Sequence, residues 1–137
     1  MDKVIKMKNI LIIILLIFVG YNSSGNEVDK AISAAISFTD GKPSEPLKLL
    51  ENYAVESVND SERRNEIETK ILDALPKTNS RRAKDFFCRL LKIVGTEKSI
   101  PVLEEMLSNK ETSHMARYAL VSMSYEKAGE ALLNGLN

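Results

Sequence analysis

The chain has 137 residues, 44% of them hydrophobic, with 19 basic and 19 acidic side chains. It can bury one ordinary core, and its balanced charge gives no overall positive field to draw nucleic-acid phosphates. Val and Ile are sparse outside the N-terminal segment and no alternating run is bounded by hairpin turns, which argues against a sheet and for an all-α chain.

Residues 1–25 follow the three-part grammar of a signal peptide. Lys3, Lys6 and Lys8 precede an unbroken apolar run, "ILIIILLIFV" at 10–19, and Ser23 and Gly25 stand at the minus-three and minus-one positions of a cut after Gly25. A membrane span needs roughly 20 apolar residues, so the run predicts export rather than anchoring, with an uncleaved anchor as the alternative. No cysteine follows it, so a lipid-modified N-terminus is not expected. Cleavage would remove three lysines and Asp2, leaving 16 basic and 18 acidic residues in a soluble, weakly acidic chain at 26–137.

Helices are predicted in succession beyond that point. Val28, Ala31, Ile32, Ala35 and Ile36 share one helical face, and "TDGKPSEP" ends that helix. A second helix is expected at about 46–58 with Leu47, Leu50, Ala54 and Val58 inward. The third, at about 61–75, buries Ile67, Ile71, Ala74 and Leu75, while its polar opening "SERRNE" is expected to project into solvent. Pro76 stops it, and Ser80 can cap the next helix. In "AKDFFCRLLKIV" the residues Ala83, Phe87, Leu90 and Val94 form the apolar stripe. Gly95 is expected to turn left-handed after that helix, and Thr96 to cap the following one. Ile100, Leu103 and Leu107 then share a face, with Pro101 in the first turn where a lost N–H costs least.

The last two helices are expected in "KETSHMARYALVSM" and "YEKAGEALLNGLN". The first reads as apolar around most of its circumference, through Met115, Ala116, Tyr118, Ala119, Leu120 and Met123. Ala128, Ala131, Leu132, Leu133 and Leu136 crowd the second, which predicts either further repeats in a longer parent protein or docking of this end onto another chain, self-association through the C-terminal helix being one form of it. Shifted by 29 positions, "TEKSIPVLEEML" falls on "YEKAGEALLNGL", matching Lys98 to Lys127, Leu103 to Leu132 and Leu107 to Leu136. Helix pairs are thus placed at about 46–75, 80–108 and 111–136.

The segment "AKDFFCRLLKIVGTEKSIPVLEEML" followed by "SHMARYAL" resembles the HEAT repeats of the short, phycobilisome-lyase type, as found in exported bacterial proteins. The resemblance covers roughly 80–136. It implies an α-solenoid of antiparallel helix pairs, most often a protein-binding scaffold and in a few cases a lyase subunit. Ser124 and Gly129 stand where the first unit has Gly95 and Ile100, a departure that points to a weaker terminal unit.

Candidate binding residues are Arg81, Arg82 and Arg89, which with Lys84 and Lys92 make one helix locally basic, and His114 with Arg117 one turn apart on another. For the basic helix the plain reading is a solvated face and the sharper one an acidic protein partner. His114 and Arg117 read either as helix-start and carboxylate contacts, or as a polar site together with the Tyr118 hydroxyl. Cys88 reads as a small, partly buried thiol, with an intermolecular disulfide as the alternative. Carboxylates in "SERRNEIE" and "LEEML" read as surface pairs such as Glu66 with Lys70. No metal cluster, nucleophile elbow, P-loop or glycine-rich nucleotide fingerprint is present, so no cofactor, catalytic residue or enzymatic activity of its own is expected. The reading is an exported protein-binding module. The alternative is a lyase-like subunit of an enzyme complex with a ligand groove on its concave face.

Overall fold

The computed structural model describes residues 2–41 and 44–135, and the side chains of residues 3–10, 25–41 and 44–135. Those residues form α1 (Asp2–Ile36), α2 (Glu45–Glu56), α3 (Ser61–Ala74), α4 (Arg81–Val94), α5 (Ile100–Leu107), α6 (Ser113–Leu120) and α7 (Glu126–Asn134). Short 3-10 turns lie at Ser57–Asn59, Leu75–Lys77 and Glu97–Ser99, and no strand occurs among the described residues. The chain is all-helical, as the periodicity predicts.

α1 runs without a break from the basic N-terminus into the packed part of the chain. Its described side chains before residue 11 are exposed, and between residues 25 and 36 the first buried one is Val28. The side chains of the apolar run 11–19 and of Ser23 lie outside the described residues. Among the described residues no helix is long and apolar enough to cross a membrane. Gly41, at φ +84°, turns the chain after α1 in a conformation that a side chain would strain.

Helix starts and stops follow local chemistry. Asp60 accepts bonds from the backbone N–H groups of Glu62 and Arg63 at the head of α3, and Ser80 accepts from Ala83 N–H at 3.2 Å at the head of α4. Pro46 and Pro101 occupy first-turn positions of α2 and α5. Two hydroxyl bonds between residues 42 positions apart tie the end of α1 to the start of α4. Thr78 Oγ1 donates to the Ile36 carbonyl at 2.6 Å, and Ser80 Oγ donates to the Phe38 carbonyl.

The core is one cluster fed by every helix. It contains Val28, Ala31, Ile32 and Ala35 of α1, Leu47, Leu50 and Ala54 of α2, and Ile67, Ile71 and Ala74 of α3. α4 is the most deeply set, with Ala83, Phe86, Phe87, Cys88, Leu90, Leu91 and Val94 all buried. Packing alternates along the chain. α1 lies against α2 and α3, α4 against α2, α3 and α6, and α5 against α6 and α7.

Four expectations need correction. Val58 is 43% exposed rather than inward, because the α-helix ends at Glu56. The tighter 3-10 turn brings Ser57 inside instead, with its hydroxyl bonded to the Ala54 carbonyl at 2.8 Å. Gly95 is extended, at φ −58° and ψ 141°, and the reason for glycine there is space. A Cβ at that position would meet the Leu91 carbonyl oxygen and Met123 Cε at 2.4 Å each. The helix around 113–123 is buried on one side only. Met115, Ala116, Ala119 and Leu120 point in, whereas Tyr118 and Val121 are 49% and 72% exposed, because α4, α5 and α7 cover only that one side and the helix stops at Leu120. The polar opening of α3 does not simply project into solvent, since Arg64 and Glu68 dock onto the corner between α4 and α5. Leu136 lies outside the described residues.

Candidate functional site

The predicted binding residues lie on two neighbouring helices. On α4 the positions 81, 82, 85, 89 and 92 recur at helical spacing opposite the apolar stripe, so Arg81, Arg82, Arg89 and Lys92 all face solvent. On α6 the solvent-facing residues are His114, Arg117 and Tyr118, followed by Val121 at its C-cap. α4 packs directly on α6, and Lys92 bridges the two outer faces. Its ammonium lies 4.4 Å from the Tyr118 ring centroid and donates to the Tyr118 hydroxyl at 3.1 Å. The Tyr118 hydroxyl is therefore engaged by Lys92 rather than serving a His114–Arg117 pair. Arg82 pairs with Asp40 at 2.9 Å and Arg89 with Asp85 at 3.2 Å, both in solvent. Among the described residues neither Arg81 nor Arg117 has an ion-pair partner.

A second constellation escapes the sequence reading. Glu68, assigned to a surface pair by its polar neighbours, is fully buried. Its carboxylate accepts from Thr96 N–H at 2.6 Å, from Thr96 Oγ1 at 3.0 and 2.9 Å, and from Ser99 Oγ at 2.6 Å. One turn earlier, Arg64 donates through Nε to the Val94 carbonyl and through Nη2 to the Gly95 carbonyl, each at 2.9 Å. A cation thus satisfies the last carbonyls of α4 while an anion satisfies the first donors of the next turn, the sign each helix end favours. The signal was spacing. Glu68 lies three residues before Ile71 and seven before Leu75, on the inner stripe itself. No buried side-chain polar atom of the clamp lacks a partner, so its chemistry is that of a joint. The Glu66–Lys70 pair expected on the surface is present at 3.7 Å, and Lys70 is also bonded to Asp29 of α1.

Cys88 is almost wholly buried rather than partly so, since both flanks of α4 are covered. Burial, with Asp85 adding to it, pushes its thiol up from 9.0 to about 12, which leaves it protonated and unreactive at neutral pH. An intermolecular disulfide is not compatible with that position. Between α3, α4 and α5 runs an open groove of about 450 Å³. Leu72, Val102 and Met106 give it apolar walls, and Lys84 and Glu105 stand at its rim. Among the described residues no group of three or more His, Cys, Asp or Glu side chains gathers to hold a metal.

No family model matches the chain, and no curated protein or solved structure matches it either.

Proposed function

We propose that this protein is an exported helical-repeat module that binds another protein, with residues 1–25 serving as the export signal. The observation that carries the reading is the alternating packing. α1 packs on α2, α3 on α4 and α5 on α6, while α2, α4 and α6 lie side by side and α5 also meets α7, an arrangement that supports reading the chain as an α-solenoid of HEAT-like pairs. The 29-residue repeat supports it at the level of single side chains. Lys98 and Lys127, equivalent under that shift, both reach back to the preceding unit, Lys98 to Asn65 and Lys127 to Glu97 at 2.9 Å. Such stacking leaves one continuous outer surface, suited to binding over an area rather than in a pocket.

In support of the export reading, the described buried side chains of α1 are Val28 and residues beyond it, so a cut after Gly25 would leave them all in the chain. An exported chain should carry Asn26 as its first residue. A photo-crosslinking amino acid placed at Val121 of the full chain tests the binding reading in the native cell. The expected outcome is a discrete adduct with a second protein, absent when the same group stands at exposed Glu62 on α3. Equal labelling from both positions, or none from either, would overturn it. The groove of about 450 Å³ favours a second reading, a lyase-like subunit that takes a small ligand between α3 and α5.

A further inference from the structure

Charge on this chain is segregated, although its total is balanced. α4 carries five basic residues and one acid, and α6 carries Arg117 and no acid. α2, α3, α5 and α7 each hold more acidic than basic residues. α4 and α6, each net positive, pack together, and the Lys92–Tyr118 contact joins their outer sides into one surface. On it Val121 is 72% exposed, and Tyr118, one turn away with Lys92 over its ring, still leaves half its surface open.

We propose that the α4–α6 face binds an acidic segment of a partner protein that lays an apolar side chain against Tyr118 and Val121. This rests on the reading of the chain as a protein-binding module and names the chemistry of the partner. Arginine and tyrosine around an apolar centre is the composition from which binding hot spots are built. The existing ion pairs do not oppose it. Arg82–Asp40 and Arg89–Asp85 stand in solvent, where such pairs hold little energy, so an incoming carboxylate can replace either acid. The excess acidic residues on α2, α5 and α7 disfavour an acidic segment there and so favour the α4–α6 face over those helices.

The test measures binding of the full chain to a fluorescein-labelled random copolymer of glutamate and tyrosine by fluorescence anisotropy. Saturable binding is expected, weakened about tenfold by Arg117→Glu or Arg89→Glu and about fivefold by the uncharged change Val121→Ser. Polyglutamate lacking tyrosine should bind several times more weakly than the copolymer. All three substitutions are at exposed sites, so unchanged helical circular dichroism is expected throughout. Heparin or phosphatidylserine vesicles bound as tightly as the copolymer would overturn the proposal in favour of unspecific anion binding. So would a salt-sensitive dimer abolished by Arg117→Glu, since the occupant would then be a second copy. No copolymer binding, beside a discrete adduct from the crosslinker at Val121, would overturn the acidic chemistry while leaving the binding module standing. No adduct and no copolymer binding would overturn both.

Discussion

Glu68 shows how much one side chain can hold in this fold. Its carboxylate accepts from two elements of the next corner, Thr96 and Ser99, and nothing but protein surrounds it. Removing it would leave a backbone N–H and a buried hydroxyl without acceptors, each costing about 1–3 kcal/mol. Glu68→Ala is therefore expected to destabilise by about 3–5 kcal/mol in urea titration, and Glu68→Gln by less, because the amide keeps one acceptor oxygen. The same change at exposed Glu104 should be nearly silent. If Glu68→Ala lowered stability no more than Glu104→Ala does, the clamp would contribute nothing.

At the scale of elements, each helix is held by a single stripe, and α5 is the sharpest case because it has only eight residues. Too short to be stable alone, it depends on Ile100, Leu103 and Leu107 meeting the core. Leu103 is fully buried, so Leu103→Ala should cost about 2–5 kcal/mol. Its neighbour Glu104 only accepts an exposed bond from Asn134, so Glu104→Ala should change stability by less than about 0.5 kcal/mol. Equal midpoints for the two variants in denaturant would show that the face is misassigned. α7 depends on less, burying only Ala128 and Ala131.

For the whole molecule, the buried thiol and two lysines set its response to alkali. Cys88 keeps its proton to about pH 12 when folded, whereas an unfolded chain loses it near 9.0. Unfolded chains therefore bind fewer protons between those values, and stability falls as pH rises, by roughly 3–4 kcal/mol at 1.36 kcal/mol per unit. Lys70 is raised above 10.5 by its bond to Asp29, against desolvation, and Lys127 by its bond to Glu97. Their contribution is present below 10.5 and lost as pH passes through the folded values, which deepens the decline. Urea midpoints should fall between pH 9 and 12, and Cys88→Ala should flatten that fall. An unaltered slope in Cys88→Ala would assign the decline elsewhere. Leu133, 66% exposed on α7, is the natural contact for self-association through that helix. Light scattering should show concentration-dependent association that Leu133→Glu removes, and a wild type monomeric at every concentration would end that reading.

The stripes Val28–Ala31–Ile32–Ala35, Ile67–Ile71–Ala74 and Ile100–Leu103–Leu107 were legible from the sequence because helical periodicity is local: each residue's face follows from its neighbours three and four positions away. The Ser80 cap and the Pro101 position were legible for the same reason. So was the presence of basic residues on α4 and α6, but not their union, because only packing decides that two helices separated by α5 turn their outer sides the same way. Burial of Glu68 was likewise hidden, since its polar neighbours predict a solvated carboxylate and its partners stand 28 and 31 residues further on. Val58 moved outward because a 3-10 turn changed the rotation that continuous α-helix would have given, and Tyr118 because α6 is covered on one side only. Sequence alone determined the helices and their inner faces, through interactions spanning one or two turns. The tertiary structure decided which outer faces join and which charges are buried, because those depend on contacts between residues far apart in the chain.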